Sequence, residues 1–113
     1  MITIYHNGRC SKSRGALEIL QEQNIPHEIR WYLTDPLSIA ELKVLLRKLH
    51  LSAQDVIRKN EPLYKEHYKS EVHTEAEWIK ILAENPTLLE RPIVINGNKG
   101  VVARPPEKVL EIL

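Results

Sequence analysis

Residues 2–32 read ITIYHNGRCSKSRGALEILQEQNIPHEIRWY. Ile2 and Ile4 alternate with Thr3 and Tyr5, the two-residue period of a strand. From 12 to 23 the apolar residues Ala16, Leu17 and Leu20 fall at helical spacing, and Asn24 and Pro26 end the pattern. Residues 27–32 alternate again, with Ile29 and Trp31 on one face. The stretch is therefore a β-α-β unit, and the helical crossover makes its two strands parallel neighbours. Cys10, the chain's one cysteine, falls where the first strand turns into the helix. Free backbone N–H groups and the positive end of the helix dipole favour an anion there. A thiol so placed tends to be a thiolate, hence a nucleophile.

Beyond this unit, Ser38-x-x-Glu41 is a capping box after Pro36. Ile39, Leu42, Leu45, Leu46 and Leu49 then form a helical stripe. Ser52 opens a short helix through Asp55 to Arg58, and residues 59–73 read as less regular. Thr74-x-x-Glu77 is a second capping box, opening a helix with Trp78, Ile79 and Leu82 inward and Pro86 at its end. Ile93-Val94-Ile95, turn chemistry over residues 96–100, and Val101-Val102 predict an antiparallel hairpin. Pro105-Pro106 opens a last helix with Val109, Leu110, Ile112 and Leu113. The order β-α-β, helices, β-β-α predicts an α/β fold with a thioredoxin-like core. It forms a single domain, 1–113, with a helical insertion over about 36–90.

Composition narrows the function. The chain has 113 residues, 42% hydrophobic and 27% charged, in keeping with an ordinary globular domain. A formal net charge of +1 gives no general affinity for nucleic acid or an acidic membrane. A lone cysteine excludes an internal disulfide and fits an intracellular, cytoplasmic setting. No signal peptide is seen, and no apolar run approaches the ~18 residues that span a bilayer. The expectation is a monomer. The histidines at 6, 27, 50, 67 and 73 show no metal-ligand spacing. Trp31 and Trp78 read as core or rim packing, the Tyr64–Tyr68 pair as packing of the central segment, and Lys43, Arg47 and Lys48 as a solvated helix face.

An ordinary thiol, pKa ~8.5, is only slightly ionised at pH 7, and lowering it by about two units takes ~2.7 kcal/mol of differential stabilisation. A helix N-terminus supplies about 0.3–1 kcal/mol. The neighbours His6, Arg9, Lys12 and Arg14 are candidates for the rest, and His6 is placed to hydrogen-bond the loop. A free cysteine is most often a small buried hydrophobe, but Ser, Lys and Arg neighbours argue against that here. Cys10-Ser11-Lys12-Ser13 lacks a second thiol, so any redox cycle takes its electrons from an outside thiol. Arg91-Pro92 precedes the hairpin and Arg104-Pro105 follows it, which places both arginines at one end of it. Arg58 ends the short central helix. Guanidinium groups suit tetrahedral oxyanions, although any single arginine is ordinarily a solvated charge.

The chain resembles the glutaredoxin-coupled arsenate reductases from end to end. The resemblance is carried by Ile4-Tyr5-His6-Asn7 before Cys10, Ser13-Arg14 after it, Leu33-x-x-Pro36 and Glu41-Leu42. It continues through Ile57-Arg58-Lys59-Asn60, Glu90-Arg91-Pro92-Ile93-Val94, Arg104-Pro105 and Val109-Leu110-Glu111-Ile112-Leu113. It implies a thioredoxin-like fold with Cys10 as nucleophile, His6 lowering its pKa, and Arg58, Arg91 and Arg104 binding the oxyanion. Asn7, Ser13, Arg14 and Pro92 support the loop, and the Arg91–Pro92 bond is cis. The reaction implied is reduction of arsenate to arsenite, with glutathione as cosubstrate, glutaredoxin as partner, and no bound cofactor or metal. The chain departs from well-studied members at Gly8, where they carry proline, and at Ser11-Lys12, where they carry Gly-Thr. These departures leave open a reductase of the same fold acting on another oxyanion or on a protein thiol. A polymerase-binding redox regulator of this fold uses a C-x-x-C pair, which Ser13 interrupts. A phosphatase-like C-x5-R site is excluded by Ala16. A cluster-binding monothiol glutaredoxin lacks its glutathione pattern here.

Overall fold

The computed structural model describes residues 1–113. They fall into two compact units, Met1–Asp35 with Arg91–Leu113, and Pro36–Glu90. In the first, β1 (Ile2–Tyr5), α1 (Ser11–Glu22) and β2 (His27–Arg30) are followed, after the excursion through the second unit, by β3 (Ile93–Asn96) and β4 (Lys99–Val102). The sheet order is β2-β1-β3-β4. β1 lies parallel to β2, with Ile4 opposite Ile29, and antiparallel to β3, with Ile4 opposite Val94. β3 and β4 are antiparallel, with Val94 opposite Val101. This is the thioredoxin-like arrangement the β-α-β and β-β segments predict.

One buried cluster holds the unit together. Ile2, Ile4 and Val94 on the sheet meet Ala16 and Leu20 on α1 and Val109 and Ile112 near the C-terminus. Gly15 marks a close approach: a Cβ there would lie 3.0 Å from Pro106 Cγ. The last segment, Pro106–Ile112, is a 3-10 helix rather than the expected α-helix. Three residues per turn bring Val109 and Ile112 onto one face. Leu110 and Leu113 lie off that face and are exposed. The hairpin turn is also tighter than expected. Asn96, Lys99 and Gly100 belong to the strands, leaving Gly97-Asn98 as the turn. Gly97 takes φ 62°, which glycine adopts without steric penalty. β2 stops at Arg30, so Trp31 is not a strand residue, and it is exposed.

The second unit is helical, with α2 (Ile39–Leu49), a 3-10 turn (Ala53–Val56), α3 (Pro62–His67), α4 (Glu75–Glu84) and a 3-10 turn (Pro86–Leu88). Both expected capping boxes form, Ser38 with Glu41 and Thr74 with Glu77. Leu42, Leu45, Leu46 and Leu49 are buried, but Ile39, in the first turn of α2, is exposed. Two further expectations are corrected. Residues 59–73 contain α3, which starts on Pro62, a residue whose fixed φ suits the first helical position. The turn after Ser52 ends at Val56, so Arg58 does not belong to it. Ile57 is extended and bridges Leu89. Tyr64, Tyr68 and His73 ring the buried Trp78. No helix is long and apolar enough to cross a membrane.

Candidate functional site

Cys10 is the N-cap of α1, with extended backbone and no side-chain capping bond. Its carbonyl accepts the Arg14 N–H at 3.0 Å, the first bond of the helix. Its half-buried sulfur faces the N–H groups of the first turn. Burial pushes the thiol pKa up. The backbone N–H groups of Ser13 and Lys12, the Arg91 charge and a hydrogen bond from Arg104 outweigh that and hold it below the ordinary value. Sulfur at this position is thus favoured as thiolate.

The arginines arrive on the hairpin. Ile93 pairs with Val102, so Arg91 and Arg104 stand symmetrically two residues beyond the paired ends. An N–H from Ala103 to the Pro92 carbonyl at 2.9 Å continues the pairing up to them. Arg104 Nη1 donates to the Arg91 carbonyl at 3.0 Å and lies 3.7 Å from Cys10 Sγ. One guanidinium therefore touches the sulfur while tied to the backbone of the other arginine. Both Arg91–Pro92 and Arg104–Pro105 are cis, and only the first was expected.

The loop between β1 and α1 is tied together from inside. His6 is buried, and its Nδ1 lies 2.7 Å from Ser13 Oγ. Ser13, fully buried, also accepts the Asn7 N–H at 3.0 Å. The Asn7 carbonyl accepts the Cys10 N–H at 3.1 Å, and Asn7 Oδ1 accepts that of Arg9 at 3.0 Å. Arg14 Nη1 donates to the Gly8 carbonyl at 3.0 Å. Burial, helped by the Arg14 charge, lowers the His6 pKa and so favours the neutral imidazole.

The structure redistributes the roles expected of nearby residues. His6, Arg9, Lys12 and Arg14 are the sequence candidates for stabilising the thiolate by charge, but His6 is buried with its pKa lowered and the other three are exposed, so none of these side chains acts on the sulfur through its charge. Lys12 contributes its backbone N–H, and Arg14 braces the loop. The positive charge felt by sulfur comes instead from Arg91 and Arg104, distant in sequence. His6 meets the first turn of α1 through Ser13, as a loop-bonding histidine does. Arg58 belongs to the helical unit. There its guanidinium pairs with Glu61 at 3.2 Å and donates to the Thr87 carbonyl at 3.4 Å. Trp31, which packs edge-on against His6, carried no functional signal in the sequence. No three His, Cys, Asp or Glu side chains gather to hold a metal ion.

A polarised thiol beside paired guanidinium donors is equipped to attack a small oxyanion and to offset its charge. Comparison with known proteins gives this site a family. The ArsC family pattern matches residues 5–112. The chain belongs to the ArsC family. An arsenate reductase of Haemophilus influenzae is 41% identical, over 99% of this chain and 98% of its own length. The uncharacterised protein YfgD of Escherichia coli is 43% identical, over 99% and 96%. Among solved structures, an arsenate reductase from Vibrio cholerae superposes with a TM-score of 0.95 at 40% identity, covering 99% of this chain and 97% of that one. The region matched to the ArsC family contains Cys10, Arg58, Arg91 and Arg104.

Proposed function

We propose that this protein is an arsenate reductase that works through a covalent Cys10–arsenic intermediate and takes its electrons from glutathione and glutaredoxin. The observation that carries the reading is the Cys10 sulfur at the open start of α1, 3.7 Å from Arg104 Nη1. Membership of the ArsC family and likeness to proteins named arsenate reductase support the choice of substrate.

In the first step the thiolate forms a bond to arsenic, and an arsenate oxygen leaves as water after taking up protons. Arg91 and Arg104 hold the remaining oxygens and offset their charge as the sulfur attacks. Arg58 is the third member of this set, on the strength of the resemblance at Ile57-Arg58-Lys59-Asn60. Two thiols then supply two electrons. Arsenate and two thiols give arsenite, water and one disulfide. With a single cysteine in the chain, both thiols come from outside. Glutathione attacks the Cys10 adduct, and glutaredoxin resolves the glutathione-bound species. The protein acts as a cytoplasmic monomer with no bound cofactor.

The test is arsenate-dependent NADPH consumption in the presence of glutathione, glutaredoxin and glutathione reductase. Wild type turns over, and Cys10→Ser and Arg91→Ala do not, although both fold. Turnover by Cys10→Ser removes the mechanism. An inactive wild type whose Cys10 is still readily alkylated moves the substrate to another oxyanion or to a protein thiol.

A further inference from the structure

Trp31 is 51% exposed, just past the end of β2. Its inner face is occupied. The indole meets the His6 ring at a centroid distance of 4.9 Å and an interplanar angle of 68°, an edge-to-face contact. It also lies against the backbone of the thiol loop, since a Cβ on Gly8 would be 3.6 Å from Trp31 Cζ3 and 3.9 Å from His6 Nε2. The segment that carries it is fixed. The Trp31 carbonyl accepts the N–H groups of Thr34 and Asp35 at 3.1 and 2.8 Å and the Thr34 hydroxyl at 3.2 Å. The His6 N–H in turn donates to the Arg30 carbonyl at 2.9 Å.

Beneath the indole runs a continuous set of bonds to the nucleophile. His6 Nδ1 meets Ser13 Oγ, Ser13 Oγ accepts the Asn7 N–H, and the Asn7 carbonyl accepts the Cys10 N–H. Burial favours the neutral imidazole, and with its Nδ1 lone pair free the ring accepts the Ser13 hydroxyl proton while Ser13 Oγ accepts the Asn7 N–H. Water reaching His6 would both compete for that bond and favour protonation. The charged group facing the ring is Arg14 on α1, which opposes protonation. On the other sides stand Trp31, Gly8 and Ser13, none of them titratable.

We propose that Trp31 is a positioning residue for Cys10: it covers His6, keeps water off the His6–Ser13 link, and so holds the loop that aims the helix N–H groups at the sulfur. The proposal rests on the reading of Cys10 as the nucleophile. It assigns a role in the site to a side chain 21 positions downstream of the thiol, the difference between residues 31 and 10.

The experiment compares wild type, Trp31→Ala and Trp31→Phe by three readouts. These are the His6 ring titration by NMR, the rate of Cys10 alkylation by iodoacetamide against pH, and steady-state turnover of arsenate. In Trp31→Ala the His6 midpoint rises towards the ordinary ~6.5. The Cys10 alkylation midpoint rises as well, because the loop no longer holds the N–H groups on the sulfur. The loss in kcat is about tenfold, with KM changed by less than about twofold, as expected for a misaligned nucleophile. Trp31→Phe restores most of each. An unchanged His6 midpoint in Trp31→Ala overturns the proposal. A loss confined to KM also overturns it and makes Trp31 a substrate contact. NMR and alkylation need no arsenate, so an inactive wild type leaves the inference readable. A wild-type Cys10 with an ordinary thiol pKa sinks the nucleophile and the positioning role together. A depressed Cys10 that is equally depressed in Trp31→Ala sinks the positioning role alone.

Discussion

At Ser38 and Thr74 the chain closes the start of a helix with its own side chains, whereas at Cys10 it leaves one open. Ser38 Oγ and Thr74 Oγ1 accept the N–H groups of Glu41 and Glu77, and those glutamates accept the N–H groups of Ser38 and Thr74 in return. Acidic side chains occupy the first turns of α2 and α4. α1 has no side-chain capping bond and no acid in its first turn. The N–H groups that a serine or threonine would have satisfied are directed at sulfur, and the Arg91 charge and a hydrogen bond from Arg104 act on it as well. A closed start satisfies donors that would otherwise need water and is built for stability. An open start keeps donors for an anion and is built for chemistry.

The difference between the two kinds of start yields measurable expectations. The largest effect belongs to Cys10→Ser. Serine is a far better N-cap, so the variant loses turnover while its unfolding free energy holds or rises by about 0.5–1 kcal/mol. Denaturant unfolding beside a turnover assay checks both, and a destabilised Cys10→Ser would mean that α1 does not start as an open end. Next comes Arg104→Ala. Removing one charge-assisted hydrogen bond, worth about 1.5–3 kcal/mol, raises the alkylation midpoint of Cys10 and slows turnover by about 10- to 100-fold. Thr74→Ala does the reverse, costing about 1 kcal/mol of stability while leaving the Cys10 alkylation profile and turnover as in wild type.

The smallest effect is on the pH dependence of stability. The folded state holds the His6 pKa below the ordinary imidazole value. Below about pH 6.5 the unfolded chain therefore takes up a proton that the folded chain refuses. Stability falls as pH drops through that window and is recovered above it. Denaturant midpoints between pH 5 and 8 show this slope in wild type, and His6→Gln reduces it.

Much of this contrast can be read from the residues alone. Ser38-x-x-Glu41 and Thr74-x-x-Glu77 declare closed starts because a cap is a local event, complete within four residues. The β-α-β reading puts Cys10 at a helix start, and counting outward from the hairpin turn puts Arg91 and Arg104 at one end. Local pattern could not say which cations reach the sulfur. Arg9, Lys12 and Arg14 are its neighbours in sequence, yet at a helix start successive side chains fan outward while the backbone N–H groups converge. The charge that reaches Cys10 comes from the far end of the chain. α3 escapes a reading by pattern because it buries no residue and so shows no apolar stripe, and its first residue, Pro62, begins helices as readily as it ends them. The final segment was legible as an apolar face, but the choice of three residues per turn over 3.6 rests on tertiary packing of Val109 and Ile112.

The two tryptophans have an optical consequence. Trp31 is half in water and belongs to the sheet-containing unit, while Trp78 is buried within the helical unit. Their emission is expected to separate in colour, red-shifted for the first and blue-shifted for the second. A dissolved quencher such as acrylamide should darken the first and spare the second. A Trp31→Phe chain would then show tryptophan emission only from its helices, and a Trp78→Phe chain only from beside His6, so whether the two parts melt as one transition becomes a question for a fluorimeter.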